Sequence, residues 1–217
     1  MVSTSTDKQE VEKEQEVKVS PEEWARETIE LKEEVSEEQR KKRKHQIIRE
    51  VILYFMILFL CVKIIPEYVI QHTIVDGPSM ENTLQDRDHL LVEKISYHFD
   101  SLDRFDIIAF YPYGKEVDEY YIKRIIGLPG ETIQIKGSEI YINGELLEEN
   151  YGKDPITYAG IASEPITLGE EEYFVLGDNR TVSFDSRSAE VGIVHKDQIG
   201  GRAIFRIWPL GEFGTIK

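Results

Sequence analysis

The chain has 217 residues, a formal net charge of -15 at pH 7 and one cysteine, Cys61. This length suits one compact domain with appendages, and a lone cysteine excludes an intrachain disulfide. An acidic chain without a basic stripe argues against nucleic-acid binding, because that binding needs Lys and Arg to neutralise phosphates. The five histidines show no metal-ligand spacing, so no metal site is predicted.

The first predicted element is a charged tail over residues 1–45. Residues 1–39 are dense in Glu, Lys and Gln, with too few apolar side chains to offset the entropy of folding. They predict a solvated or partly helical segment, with a cap-like start at Ser20-Pro21. The tail then turns basic in RKKRKH, residues 40–45.

An apolar segment follows, and its core is VILYFMILFLCV, Val51–Val62. This run is shorter than the ~18 residues expected of a spanning helix. A buried helix of a soluble protein would seldom be apolar on every face, and a cleaved signal peptide would begin near residue 1. The segment therefore favours a single membrane anchor over residues 46–70 that contacts the lipid bilayer. The basic cluster before it predicts a cytoplasmic N-terminus and an extracytoplasmic domain after about residue 70.

The remainder, residues 71–217, has the pattern of an antiparallel β domain. Short runs rich in Ile, Val, Phe and Tyr are bounded by turn residues, and KGS and Asn143-Gly144 are hairpin signals. The predicted strands are residues 106–111, 132–137, 139–144, 172–177 and 202–207. We expect these residues to form one mostly β domain that is large enough to have its own core.

The stretch GPSMENTL, Gly77–Leu84, places a serine shortly after the apolar segment. Ser79 is either a turn residue or a nucleophile, and a serine hydroxyl needs a nearby base to react. The G-x-S-x-G elbow is absent, whereas a Ser-His-Asp triad stays open because its members need not be close in sequence. The other candidate base is a lysine, which must be neutral at working pH.

Lys123 is the lysine with the most suggestive surroundings, in YYIKRIIGLPGE. Apolar residues flank it, and in a strand its side chain would point away from that of Arg124. The alternative is a structural lysine whose amine reaches solvent. A third segment, YFVLGDNRTVSFDSR, residues 173–187, interleaves Asp and Arg in a way that indicates an ordered loop tied by ion pairs. Ser183 in this loop is either a turn residue or a hydroxyl that orients a neighbouring amine.

The three motifs GPSM, KRIIGLPGE and GDNRTVSFDSR, in this order after an anchor, resemble the boxes of the bacterial type I signal peptidases. The resemblance covers roughly residues 50–210 and is nearest to the compact Gram-positive form. It implies a membrane-bound serine endopeptidase that removes signal peptides from secreted preproteins with a Ser/Lys dyad. It implies two antiparallel sheets with a small β insertion at about residues 131–171, no cofactor, and the secretion machinery as a possible partner.

By position, the resemblance assigns Ser79 as the nucleophile, Lys123 as the general base and Ser183 as the residue that orients the lysine amine. The backbone N–H groups of Ser79 and Gly77 are assigned to the oxyanion hole, and Met80 to substrate binding. The residues assigned to bracing the site are Arg124, Asp178, Arg180, Asp185 and Arg187.

Two features leave alternatives open. Asn82 stands where the family has proline, so the loop carrying Ser79 is expected to be less rigid. Trp208, in FRIWPL, is assigned either to the membrane interface or to the core. The rival functions are a catalytically impaired homologue, a self-cleaving repressor of the Ser/Lys type, and a membrane-tethered β domain that binds a partner without catalysis. The absence of a DNA-binding region weighs against the repressor.

Overall fold

The computed structural model describes residues 20–99, 101–117 and 119–216, so residues 1–19 of the predicted tail over residues 1–45 lie outside the described residues. The chain divides into two units, Met1–Ile57 and Leu58–Lys217. Helix α1 spans Pro21–Phe59. It begins directly after Ser20, and proline suits the first helical position because its missing N–H would have no partner there.

Apolar side chains of α1 are exposed on all faces near its C-terminal end, including Ile52, Tyr54 and Phe55 at 61–63% exposure. A π-helical turn, Leu60–Ile64, and the short helix α2, Ile65–Tyr68, follow. Within the described part of the chain, no helix is both long enough and apolar enough to cross a bilayer.

The second unit is built on an eight-stranded antiparallel sheet with the order β1-β2-β11-β3-β4-β9-β10, and β12 pairs with β11. This sheet and its mostly antiparallel pairing confirm the predicted β class. Its strands are β1 (Ile70–Ile74), β2 (His89–Glu93), β3 (Ile107–Phe110), β4 (Tyr121–Gly127), β9 (Glu172–Leu176), β10 (Val194–His195), β11 (Ile199–Trp208) and β12 (Gly214–Thr215). Helix α3, Ser96–Phe99, and 3-10 turns at Lys196–Gln198 and Leu210–Glu212 lie between strands.

A second, four-stranded sheet lies within the segment predicted as an insertion. Its order is β7-β6-β5-β8, formed by β5 (Thr132–Lys136), β6 (Glu139–Ile142), β7 (Glu145–Leu146) and β8 (Ile166–Thr167), with a 3-10 turn at Gly160–Ser163. The β6–β7 turn has positive φ at Asn143 and Gly144, 54° and 87°. Two consecutive positive φ angles define the type I′ turn that Asn-Gly favours.

Strand β4 lies in the interior of the main sheet, between β3 and β9. Ile122, Ile125 and Ile126 each belong to a different apolar cluster, so both faces of the strand are covered. Lys123 and Arg124 are therefore held in a region where a charge needs a partner.

Trp208, at the end of β11, is 52% exposed, and Leu210 and Phe213 beside it are 70% and 59% exposed. The core alternative for Trp208 is therefore wrong. Trp208 is the last residue of β11 and pairs with His89 at the start of β2.

Candidate active site

Ser79 and Lys123 are brought together from distant parts of the second unit. Ser79 lies in the loop between β1 and β2, and Lys123 lies in the middle of β4. Lys123 Nζ donates hydrogen bonds to Ser79 Oγ and to the Ile122 carbonyl oxygen, both at 2.9 Å. Among the described residues, Lys123 is the hydrogen-bond partner of the Ser79 hydroxyl, whereas His72 and His89 bond each other.

The amine of Lys123 is nearly sealed from water, with 4% of the residue exposed. Burial lowers the pKa of Lys123 from 10.5 to about 8, against the charges of Asp185 and Asp178, which raise it. Desolvation disfavours the ammonium form, so a substantial fraction of the amine is neutral in mildly alkaline water. A neutral amine at hydrogen-bond distance can accept the serine proton.

The nucleophile loop, Gly77–Leu84, is closed by its own backbone bonds, from Glu81 N–H to the Pro78 carbonyl and from Leu84 N–H to the Met80 carbonyl. From outside the loop, the Asn179 N–H donates to the Ser79 carbonyl oxygen at 3.1 Å. A Cβ at Gly177 would lie 2.4 Å from that same oxygen. The absence of a side chain at position 177 therefore lets the two backbones meet.

Two residues of the loop carry further sequence assignments. The Gly77 N–H, assigned to the oxyanion hole, donates to Asp86 Oδ1 at 2.9 Å in this structure, and its assignment stays a prediction. Met80 is 1% exposed and packs against Val75 and Leu84, and it lines the cleft beside Ser79.

Asn82 has φ of 102°, a value that proline, fixed near −65°, cannot adopt. Its side-chain amide donates to the Tyr151 carbonyl oxygen at 3.0 Å. The loop is thus tied to the chain at residue 151 by the side chain that replaces proline. A left-handed backbone is one that asparagine tolerates better than most residues.

Arg124 and Asp178 form a fully buried bidentate pair, with Nε–Oδ1 at 2.9 Å and Nη2–Oδ2 at 2.7 Å. Arg124 also donates to Thr83 Oγ1 at 3.0 Å, and Thr83 donates to Asp178 Oδ2 at 2.5 Å. The three side chains join β4, the loop after β9 and the nucleophile loop. A charge pair at 0% exposure needs such additional hydrogen bonds to offset its desolvation.

Asp185 and Arg187 form a second buried pair, with Arg187 Nε and Nη2 both 2.8 Å from the carboxylate. Asp185 Oδ2 also accepts the Gly177 N–H at 3.0 Å, and Arg187 Nη1 donates to the Arg180 carbonyl at 2.7 Å. These bonds hold the loop 177–187 in one conformation.

Arg180 points away from that pair. Its Nε donates to the Gly177 carbonyl at 3.0 Å, and its two terminal nitrogens bind Glu149 at 2.5 and 2.7 Å. Glu149 was not singled out from the sequence, nor were Thr83 and Tyr151. Glu149 lies in an acidic stretch, EENYGK, where nothing local marks it as a partner of an arginine 31 residues away.

Ser183 is close to the site but does not contact the lysine amine. The hydrogen bonds of Lys123 go to Ser79 and Ile122, and Ser183 Oγ has no hydrogen-bond partner among the described residues. A Cβ at Gly177 would lie 2.2 Å from this hydroxyl, so Ser183 packs against Gly177. The predicted bond from Ser183 to Lys123 is therefore absent from this arrangement.

A cleft of about 250 Å³ opens beside the Ser79–Lys123 pair. Its walls mix apolar and tyrosine side chains with two carboxylates: Ile74, Val75, Asp76, Ser79, Met80, Glu119, Tyr120, Tyr121, Ile122 and Lys123. The cleft that contains Ser79 and Lys123 is thus lined by apolar, aromatic and acidic side chains.

Comparison with known proteins gives consistent matches. The family described as "Signal peptidase, peptidase S26" matches residues 48–208. The chain is 41% identical over 155 residues to "Signal peptidase I" of Leptolyngbya laminosa, covering 69% of this chain and 74% of that protein. It is 34% identical over 185 residues to "Signal peptidase I P" of Bacillus subtilis subsp. natto, covering 81% and 96%. A solved signal peptidase I from Enterococcus faecalis aligns with a TM-score of 0.38 and 35% identity, covering 48% of this chain and 97% of that chain.

Proposed function

The chain belongs to the signal peptidase family, peptidase S26, and we propose that it removes signal peptides from preproteins with Ser79 as nucleophile and Lys123 as general base. The observation that carries this proposal is the 2.9 Å contact between a buried lysine amine and the serine hydroxyl. Burial, which lowers the pKa of Lys123 to about 8, supports the base role, because it supplies a neutral amine near neutral pH.

The reaction divides into acylation and deacylation. Neutral Lys123 takes the Ser79 proton as Oγ attacks the scissile carbonyl, and the resulting ammonium gives a proton to the leaving amine. A water molecule, deprotonated by the same amine, then attacks the ester carbonyl; the bond to Ser79 Oγ breaks, and the Lys123 ammonium returns the proton to Oγ. With the Gly77 N–H donating to Asp86 in this structure, we assign the Ser79 N–H to the oxyanion.

We expect an extended peptide with small side chains next to the cleaved bond, which is the residue pattern at signal-peptide cleavage sites. The cleft of about 250 Å³ beside Ser79 has room for such a peptide, and Val75 and Ile122 are among its apolar lining residues. A peptide laid in the cleft between residues 74–76 and residues 119–123 would pair with the chain as an added strand.

The test is cleavage of a synthetic preprotein peptide with an A-x-A site by the full chain in detergent. We expect cleavage after the second alanine, and loss of cleavage in Ser79→Ala and in Lys123→Met. Full activity of Lys123→Met would place the base elsewhere. No cleavage by folded wild-type protein would favour the impaired homologue or the non-catalytic binding domain.

We further propose that residues 46–70 attach the protein to the membrane, with the N-terminus cytoplasmic and the domain after residue 70 extracytoplasmic. The proposal is supported by exposed apolar side chains on every face of Val51–Phe59, such as Ile52, Phe55 and Phe59. The basic residues 40–44 before this run favour the cytoplasmic side.

Carbonate extraction of cell membranes tests the attachment. We expect the wild-type chain to stay with the lipid pellet and the double variant Phe55→Lys/Leu58→Lys to be released. The matched control, Glu33→Lys/Glu37→Lys, adds the same two lysines to the polar part of α1 and should stay in the pellet. Release of the wild-type chain would overturn the proposal.

A further inference from the structure

Five residues that come after β7 contact three parts of the candidate site: the loop after β9, strand β4 and the nucleophile loop. We call this segment, Glu149–Lys153, the bridging segment. It lies in the part of the chain predicted as an insertion, between β7 and the 3-10 turn at Gly160–Ser163. It has no strand or helix of its own, so its conformation is set by the contacts that it makes.

Both ends of the bridging segment contact the loop after β9, Glu149 through its side chain and Lys153 through its backbone N–H. Glu149 binds the guanidinium of Arg180 through both oxygens, in a pair whose side chains are 12% and 2% exposed. Arg180 in turn donates to the Gly177 carbonyl. The Lys153 N–H donates to the Asp178 carbonyl at 2.8 Å, so the backbone of residues 177–178 is held from two sides.

Tyr151, in the centre of the bridging segment, contacts β4, and both Tyr151 and Lys153 contact the nucleophile loop. The ring of Tyr151 lies 3.7 Å from the Arg124 guanidinium carbon, a cation–π contact, and its carbonyl accepts the Asn82 amide. Lys153 Nζ binds Glu81 Oε2 at 2.6 Å. Asn82 and Glu81 are both within three residues of Ser79 in the chain.

These contacts converge on the position of Ser79. The nucleophile loop and the loop after β9 meet where the Asn179 N–H donates to the Ser79 carbonyl. The bridging segment therefore binds both of the loops that this hydrogen bond joins. Lys123 belongs to an interior strand and has its position set by the sheet, so the alignment of the pair depends on where the two loops are held.

We propose that the bridging segment is a positioning element for the Ser79–Lys123 pair and that Glu149 is its principal positioning residue; the inference rests on the proposed peptidase function. Without the Glu149 carboxylate, the buried Arg180 guanidinium has to find another partner, and its bond to the Gly177 carbonyl is lost with it. Asn179 and Ser79 then shift away from Lys123. A displacement of about 1 Å is enough to slow a reaction by about 10²-fold.

The test measures the serine directly, with a reagent too small to need the peptide-binding surface. The full chain in detergent is mixed with p-nitrophenyl acetate, and the burst of acylation at Ser79 is followed, with Ser79→Ala as the blank. Peptide cleavage and thermal unfolding are measured on the same samples. The variants are Glu149→Gln, which removes the charge, and Lys153→Met, which removes the bond to Glu81. The matched control is Glu148→Gln, at the adjacent exposed glutamate.

We expect Glu149→Gln to slow acylation by about 10- to 100-fold, with a lower kcat for the peptide and an unchanged KM. Lys153→Met should slow acylation several-fold while its Tm stays at the wild-type value, since an exposed ion pair contributes little to stability. Both variants should keep the wild-type midpoint of the pH–rate profile, because the Asp178 and Asp185 carboxylates stay paired with Arg124 and Arg187. Glu148→Gln should match the wild-type chain in every readout.

Acylation of Ser79 within twofold of wild type in both variants would overturn the positioning role and leave the proposed function standing. A Lys153→Met chain whose acylation is unchanged would do the same if Glu149→Gln does not fold. Failure of the wild-type chain to be acylated at Ser79 would overturn the proposed function and this inference together.

Discussion

Arg124 and Asp178, 54 residues apart in sequence, meet as a bidentate ion pair with no exposed surface on either side chain. The pair ties the strand that carries Lys123 to the loop that contacts Ser79. It lies beside Lys123 without bonding to it, so its contribution is to hold the frame of the site. Sequence analysis assigned both residues to bracing the site, and their ion pair joins β4 to the loop after β9.

Removal of the Arg124 charge should make the folded protein less stable. We expect Arg124→Met to lower the free energy of unfolding by about 3–5 kcal/mol, because Asp178 is left buried without a counter-charge. Urea denaturation measures the change. Arg87→Met is the control, since Arg87 lies 3.7 Å from Asp86 with both side chains exposed, and it should cost less than ~1 kcal/mol. Equal losses in the two variants would contradict the prediction.

The rate of cleavage should rise with pH through the pKa of Lys123, which burial lowers to about 8. The neutral fraction of such an amine increases about tenfold between pH 7 and pH 9, so kcat/KM should increase by about the same factor. The measurement is kcat/KM for the A-x-A peptide across this range, with unfolding monitored at each pH. A profile that is flat from pH 7 to pH 9 would exclude Lys123 as the base.

Lys123→Met should be inactive yet more stable at neutral pH. The pKa of Lys123 is about 8 in the folded protein, against the 10.5 of an ordinary lysine in an unfolded chain, so the unfolded state binds the proton more tightly. This cost, about 3 kcal/mol, is fully present below pH 8 and vanishes as the pH rises toward 10.5. Denaturation at pH 7 and pH 10 should show a gain in the variant that shrinks with pH. Lys115→Met, at an exposed lysine, should show no gain at either pH.

Gly177→Ala should disable the site while leaving most of the sheet folded. The added Cβ would lie 2.2 Å from Ser183 Oγ and 2.4 Å from the Ser79 carbonyl oxygen, so the nucleophile loop has to move. We expect a loss of about 10²-fold in kcat/KM. Gly211→Ala has nothing within 4 Å of its Cβ and should keep wild-type activity. An active Gly177→Ala enzyme would show that the two backbones do not need this close approach.

Much of the β domain was predictable because strand patterns are local. The predicted strands at residues 132–137 and 139–144 correspond to β5 and β6, and the run at 172–177 corresponds to β9. Strands β1 and β2 were not predicted. In β1, IQHTI, the polar Thr73 is buried and the apolar Ile74 is exposed, so the sequence lacks the usual alternation, and the strand is recognised by its pairing with β2.

Ser79 and Lys123 were assigned by a different kind of signal from the one that marks their supports. They stand in local motifs that resemble those of the family, whereas their own surroundings left a turn serine and a structural lysine open. Glu149, Thr83 and Tyr151 were not singled out, because each acts through a partner far away in sequence, such as Arg180 or Arg124. The bond from the Gly77 N–H to Asp86 across the loop was not indicated by a motif either.

The two members of the pair belong to regions of different stability. Lys123 is on a strand hydrogen-bonded on both sides, whereas Ser79 is on a loop held by separate hydrogen bonds and side-chain contacts rather than by strand pairing. Local opening of such a loop requires less free energy than global unfolding. Mild denaturant should therefore silence the peptidase before the sheet melts, and amide hydrogens of β4 should exchange with deuterium far more slowly than those of the nucleophile loop.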